Sequence, residues 1–176
     1  MTGSYSAGKD PVADDVRSEL AAARDRIRST HLHPRDERPP SSARGVHHVA
    51  LICADVERTT RFYQDVLGFP LTTMFENRDL VGSTHFFFDL GAGNTIAFFD
   101  LPGVDPGEYA EVLGGLHHLA ISIDLDQWQQ AKARLDEAGV PYDHVDETSL
   151  YFRGPDGERL ELIADPLRWM YGERVD

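Results

Sequence analysis

The chain has 176 residues, an apolar fraction of 41% and a formal net charge of −13, which is typical of a globular protein rather than a disordered or fibrous one. The negative charge disfavours nucleic acid as a partner, and no apolar run is long enough to span a membrane. The first residues lack the pattern of a secretory signal and Cys53 has no second cysteine to pair with, so we expect a cytoplasmic protein.

The residues before Gly45 differ in composition from those that follow. The segment from Asp14 to Ser29 predicts a polar helix with a thin apolar face, and the prolines after it predict a linker. We therefore interpret residues 1–44 as an N-terminal helix and linker, either loosely attached or packed on a partner subunit.

From Gly45 onward the sequence repeats itself. The segment GVHHVALI at 45–52 recurs as GLHHLAIS at 115–122. Each copy predicts a strand, and each is followed by an acidic capping residue and a helical pattern. Three more strand-like runs follow each helix: 71–77, 83–90 and 95–101 in the first copy, and 142–145, 149–153 and 158–164 in the second.

This order predicts an α+β fold made of two tandem βαβββ modules, 45–101 and 115–165, within one domain at 45–166. Neither module can bury its apolar surface alone, so we expect the two to form a cup-shaped mixed sheet. The cup can close within one chain or between two chains. The C-terminal tail, residues 167–176, carries Trp169, Met170 and Tyr171 and is expected to cover an apolar surface.

Strand alternation places His48 and His118 on equivalent faces of the two modules. His48 shares its side of the strand with Ala50 and Ile52, and His118 shares its side with Ala120 and Ser122. The small residues Ala50, Ala120 and Ser122 leave room for a cavity there. In the last strand, Glu161 lies between Leu160 and Leu162 and points away from their side. A carboxylate in such a strand is costly unless it is paired or binds a metal.

Two imidazoles and one carboxylate can hold a divalent metal on one face and leave positions open for a substrate. We therefore predict a metal site formed by His48, His118 and Glu161. A single histidine on a strand is more often an ordinary core or rim residue. Here, two occur at equivalent positions of a repeat together with a glutamate, which favours the metal site.

The strings HHVALICADVERTTRFYQDVLGF, GLHHLAISI and GPDGERLELIADP resemble the vicinal-oxygen-chelate superfamily across about residues 45–166. This superfamily includes glyoxalase I, extradiol ring-cleaving dioxygenases, methylmalonyl-CoA epimerase, fosfomycin-resistance proteins and bleomycin-binding proteins. The resemblance implies the glyoxalase/dioxygenase-like fold and the same three metal ligands, His48, His118 and Glu161. A fourth ligand position of the superfamily falls on Ala97, which disfavours the glyoxalase I and epimerase activities.

The remaining three-ligand set is shared by ring-cleaving dioxygenases and fosfomycin-type transferases. By resemblance, Tyr151 matches a tyrosine with which the dioxygenases hydrogen-bond the substrate oxygen. Their active-site histidine falls on Asn94, which can donate a hydrogen bond but cannot shuttle a proton. His85 and His144 are candidates to replace it, and we expect Tyr151, Asn94 and His85 to form the catalytic set.

We therefore expect a dioxygenase-type oxidoreductase whose small substrate chelates the metal through adjacent oxygens. Fe(II) is the favoured ion, and Mn(II), Zn(II) and Ni(II) are alternatives. The alternative functions are a glyoxalase-like lyase or isomerase, a fosfomycin-type thiol transferase and a non-catalytic drug-binding module. The expected partners are the substrate and a second copy of the chain in a homodimer.

Overall fold

The computed structural model describes residues 12–164, which divide at Gly45 into two compact units. The first unit contains α1 (Asp14–His31) and a short 3₁₀ turn (Arg35–Glu37). Helix α1 has no buried residue, and the predicted apolar face, Val16, Leu20 and Ile27, is exposed. The predicted tail with Trp169, Met170 and Tyr171 lies outside the described residues. Between residues 12 and 164, no helix has the length and apolar character needed to cross a bilayer.

The second unit contains the two predicted βαβββ modules. The first consists of β1 (His48–Cys53), α2 (Val56–Arg61), β2 (Leu71–Glu76), β3 (Thr84–Asp89) and β4 (Thr95–Asp100). The second consists of β5 (Leu119–Ile123), α3 (Leu125–Glu137), β6 (Tyr142–Val145), β7 (Ser149–Arg153) and β8 (Arg159–Ala164). The strand orders are β1-β4-β3-β2 and β5-β8-β7-β6, so each module forms its own four-stranded mixed sheet. The predicted α+β fold with two modules is confirmed.

A capping side chain sets the start of helix α2, and a glycine sets its end. The Asp55 side chain accepts a hydrogen bond from the Arg58 backbone N–H at 2.8 Å, which caps the first turn. The helix then widens into a π-helical turn, Phe62–Val66. It stops at Gly68, whose φ of +80° lies in the left-handed region that favours glycine.

The π-helical turn joins the two sheets. The Tyr63 ring lies 4.7 Å from the Phe98 ring of β4, and its hydroxyl donates to the Glu158 carboxylate at 2.9 Å. The neighbouring Phe62 ring lies 6.3 Å from the Phe152 ring of β7. Phe98 and Phe152 are both buried in the shared core. The helix-covered faces of the two sheets therefore meet in the middle, and the opposite faces point away from each other.

Gly154, in the turn before β8, makes room for a buried carboxylate. A Cβ at position 154 would overlap the Glu158 side chain, which is 6% exposed. That carboxylate accepts hydrogen bonds from the Tyr63 hydroxyl and the Asp156 backbone N–H, each at 2.9 Å. It cannot move aside without leaving these donors unpaired, which is costly in a buried site.

We expect Gly154→Ala to lower the free energy of unfolding by about 1–3 kcal/mol, the usual cost of overpacking. Urea unfolding followed by circular dichroism measures the change. If the overlap is the cause, the same substitution should cost much less in a Glu158→Ala background. An equal cost in both backgrounds would contradict this explanation.

Candidate metal centre

Each sheet has one face that no helix of its own module covers, called here the open face. Register defines it: Ala50, Ala97 and Phe87 are aligned in the first sheet, and Ala120, Glu161 and Tyr151 in the second. Ala97 therefore occupies the position equivalent to Glu161. This equivalence agrees with the expectation that the fourth ligand position of the superfamily falls on Ala97.

The open face of the second sheet brings together two of the three predicted ligands. His118 Nε2 lies 3.2 Å from Glu161 Oε2, and Glu161 is only 5% exposed. The other carboxylate oxygen accepts a hydrogen bond from Ser149 Oγ at 2.7 Å. Neighbouring ligands of one ion, each bound at about 2.0–2.2 Å, lie about 3 Å apart. The spacing and the donor types therefore fit a divalent metal held by His118 and Glu161.

Each candidate histidine is paired with the histidine before it. The Nδ1 atoms of His117 and His118 are 2.6 Å apart, and those of His47 and His48 are 2.8 Å apart. When His118 or His48 donates the shared proton, its Nε2 carries the lone pair that a metal requires. The HisHis motif thus allows the same metal-binding tautomer in both modules.

His48 lies on the open face of the first sheet, and the structure does not bring it to His118 and Glu161. Its ring lies 5.8 Å from the Phe87 ring, which is edge-on to it. Within residues 12–164 of one chain, no group of three histidine, cysteine or acidic side chains is arranged to hold a metal ion. The three-ligand site stays a prediction.

Tyr151 lies beside the His118–Glu161 pair on the open face of the second sheet. Its ring is 5.7 Å from the His118 ring. Burial, and then hydrogen bonding to Glu161, raise the pKa of Tyr151 to about 12. The hydroxyl is therefore protonated at neutral pH and can donate a hydrogen bond.

His85 lies on the open face of the first sheet, among aromatic rings. It stacks on Phe99 with ring centroids 3.8 Å apart, and burial lowers its pKa. Its Nε2 is buried and makes no hydrogen bond. In the strand register, His85 lies four residues further along the sheet than the residues aligned with His48. This spacing corresponds to about 13 Å.

The other two candidates from sequence have local contacts of their own. Asn94 lies in the turn between β3 and β4, where its amide nitrogen donates to the Gly91 carbonyl at 3.2 Å. The His144 ring lies 5.3 Å from the Trp128 ring of α3, on the helix-covered side of the second sheet. His144 is therefore on the side of the sheet opposite to Glu161.

Sequence reasoning missed two residues of the centre. Ser149 holds the Glu161 carboxylate, and Arg159 places its guanidinium 5.3 Å from the centroid of the Tyr151 ring. Alternation could have found both, since Ser149 precedes Tyr151 by two residues and Arg159 precedes Glu161 by two. A separate cleft of about 920 Å³ runs along β1, and neither His118 nor Glu161 lines it.

Comparison with known proteins gives one family. The model of the Glyoxalase/Bleomycin resistance protein/Dioxygenase superfamily matches residues 45–162. The chain is 30% identical over 123 residues to biphenyl-2,3-diol 1,2-dioxygenase 3 of Rhodococcus globerulus, covering 67% of this chain and 62% of that protein. It is 29% identical over 130 residues to metallothiol transferase FosB of Staphylococcus epidermidis, covering 70% of this chain and 83% of that protein.

Comparison with solved structures shows the same fold. The glyoxylase/bleomycin resistance protein/dioxygenase domain of Frankia sp. EAN1pec superposes with a TM-score of 0.60 at 22% identity, covering 75% of this chain and all of that one. By sequence, the chain is 27% identical over 139 residues to "Putative ring-cleaving dioxygenase MhqA" of Bacillus subtilis. It spans only 42% of the length of that protein. Because the family model spans nearly all of both βαβββ modules, the chain belongs to the Glyoxalase/Bleomycin resistance protein/Dioxygenase superfamily.

Proposed function

We propose that this chain is a metal-dependent oxidoreductase of the dioxygenase type, acting on a small substrate with two adjacent oxygens. The observation that carries the proposal is the cluster of His118, Glu161 and Tyr151 on one open face. It combines two potential ligands 3.2 Å apart with a protonated hydroxyl beside them. The name of one relative, biphenyl-2,3-diol 1,2-dioxygenase 3, supports a substrate with adjacent hydroxyl groups.

We propose that the site is completed in a homodimer by His48 of the partner subunit. The helix-covered faces of one chain meet through Phe62 and Tyr63, so its two open faces point apart. The first sheet of a second copy can pack over the second sheet of this chain. The second sheet of that copy then packs over the first sheet of this chain. Two-fold symmetry then forms two equal sites, each with two imidazoles and one carboxylate.

The aromatic rings on the open face of the first sheet favour a ring-shaped substrate. Phe75, His85, Phe87 and Phe99 form a contiguous cluster there, with neighbouring centroids between 3.8 and 6.0 Å apart. Phe75 is 46% exposed, so its ring is available to a ligand. Aromatic surfaces bind planar apolar groups well. They would gain little from a compact phosphonate, the substrate type of the alternative fosfomycin-type transferase.

The proposed ion is Fe(II), which when bound would supply Lewis acidity toward a substrate hydroxyl and one-electron chemistry toward dioxygen. Ser149 holds the Glu161 carboxylate in place, and the Tyr151 hydroxyl donates to a substrate oxygen. His85 is the proposed acid–base group, since its Nε2 has no hydrogen-bond partner and burial lowers its pKa. Because it lies about 13 Å along the strand from the row of His48, it would act on a part of the substrate that is remote from the metal. Asn94 is the proposed second hydrogen-bond donor.

Oxygen uptake tests the proposal. The chain, purified without oxygen and loaded with Fe(II), should consume dioxygen when a catechol is added. Tyr151→Phe should lower kcat by about 100-fold while keeping the iron, because a positioned hydroxyl is lost from the reacting site. Tyr142→Phe is the matched control, since its hydroxyl bonds to Asp136 on α3. Full iron loading without uptake for any catechol would contradict the dioxygenase activity.

A thiol transferase is the second candidate, because the chain covers 83% of FosB and is thus similar to it in extent. The thiol would have to come from a co-substrate. Cys53 is 3% exposed, and burial raises its pKa to about 12, so it is not a nucleophile itself. Thiol consumption with an epoxide, measured without oxygen in the Mn(II)-loaded protein, would favour this candidate over the first.

A further inference from the structure

We propose that Tyr109, in the segment that joins the two modules, positions the metal ligand His118; this inference rests on the proposed function. The Tyr109 hydroxyl lies 2.7 Å from the Leu116 carbonyl oxygen and 2.9 Å from that of His117. These two residues directly precede His118. A single hydroxyl therefore holds the backbone that leads into the ligand.

The two modules hold the backbone before their metal-site histidines with different donors. In the first module, the ladder begins at His48, and Thr95 donates to the His47 carbonyl from both its N–H and its hydroxyl, each at 3.3 Å. In the second module, the ladder begins one residue later, at Leu119. His118 thus lies just outside the sheet, and Tyr109 provides the hydrogen bond that the first module obtains from Thr95.

The hydroxyl is linked to the metal centre by consecutive contacts. Tyr109 holds the His117 carbonyl, His117 Nδ1 pairs with His118 Nδ1 at 2.6 Å, and His118 Nε2 lies 3.2 Å from Glu161. A shift of the His117 backbone would change both the direction of the His118 ring and the partner of its Nδ1. Both features determine whether Nε2 can bind a metal.

The Tyr109 ring is itself held in place by the second module. The Arg153 guanidinium lies 5.2 Å from the ring centroid, and a Cβ at Gly157 would be 3.5 Å from Tyr109 Cβ. Phenylalanine keeps these contacts and removes only the hydroxyl. Tyr109→Phe is therefore a selective test of the hydrogen bond that the hydroxyl shares between the two carbonyls.

Cobalt titration followed by visible absorption gives the metal affinity of the 176-residue protein. We expect Tyr109→Phe to bind Co(II) about 10- to 100-fold more weakly than wild type, the usual effect of losing a group that orients a ligand. Its Co(II) absorption bands should also shift, which a general loss of stability would not produce. Tyr142→Phe removes an equivalent hydroxyl bonded to Asp136 and should match wild type. Thr95→Val should have a smaller effect, because the Thr95 N–H remains bonded to the His47 carbonyl.

A second readout needs no metal. In the metal-free protein, Tyr109→Phe should move the imidazole NMR signals of His117 and His118 and leave those of His47 and His48 in place. Unchanged signals together with wild-type Co(II) affinity would overturn the role of Tyr109, whatever the reaction proves to be. If the signals move but wild type binds no metal, the proposed function fails, and Tyr109 still positions His118.

Discussion

Replacing Glu161 with glutamine is expected to abolish tight metal binding and to leave the fold intact. Glutamine has the same shape, and its oxygen can still accept the hydrogen bond from Ser149 Oγ. It lacks the negative charge that helps to hold a divalent ion, and its amide nitrogen would have no lone pair to offer beside His118 Nε2. We expect the affinity to fall by more than about 100-fold, beyond the usual effect of losing a supporting residue.

Metal analysis by mass spectrometry, on protein purified without oxygen, measures this loss. Glu158→Gln is the matched control: Glu158 is also buried and acidic, but it bonds to the Tyr63 hydroxyl in the core. It should retain the metal even if it lowers stability. Equal metal content in wild type and Glu161→Gln would show that the His118–Glu161 pair is an ordinary hydrogen-bonded contact. A non-catalytic drug-binding module would then be the better interpretation of the chain.

The second large effect concerns the assembly of the site from two chains. His48→Ala and Glu161→Ala should each lack tight metal binding, yet a mixture of the two should recover part of it. In a mixed dimer, one site carries both substitutions and the other carries neither. If subunits exchange at random, half of the dimers are mixed, so roughly a quarter of all sites are intact.

Co-expression of the two variants with different affinity tags allows the mixed dimer to be purified and its metal content measured. A site formed within one chain would give no recovery, because every chain would then carry its own lesion. A double variant, His48→Ala with Glu161→Ala, mixed with wild type is the control for exchange. Its mixed dimer should contain one defective residue in each site and bind no metal tightly.

Much of the fold followed from the repeat and from strand alternation. Alternation alone predicted that Glu161 faces away from Leu160 and Leu162, and the register aligns it with Ala120 and Tyr151. Caps and stops such as Asp55 and Gly68 were predictable because they depend on local chemistry. These features need only neighbouring residues in the chain, which a sequence shows directly.

The relation between His48 and the other two ligands could not be predicted in the same way. It depends on which faces of the two sheets meet, and this is decided by Phe62 and Tyr63 in a π-helical turn that periodicity does not reveal. Tyr109 was equally hidden, because it lies in an irregular segment and acts through its hydroxyl on two backbone carbonyls. Long-range contacts of this kind have no sequence period.

Because the open faces point outward, each chain has two different binding surfaces. One carries His48, and the other carries His118 and Glu161. Chains with two such surfaces can associate into a closed pair or into an open filament. In the proposed dimer, only the closed pair leaves no half-site unmatched, and a metal ion held by residues of both chains would add its binding energy to that closure. Metal supply and protein concentration would then control the same equilibrium, so that dilution releases the ion and chelation separates the chains.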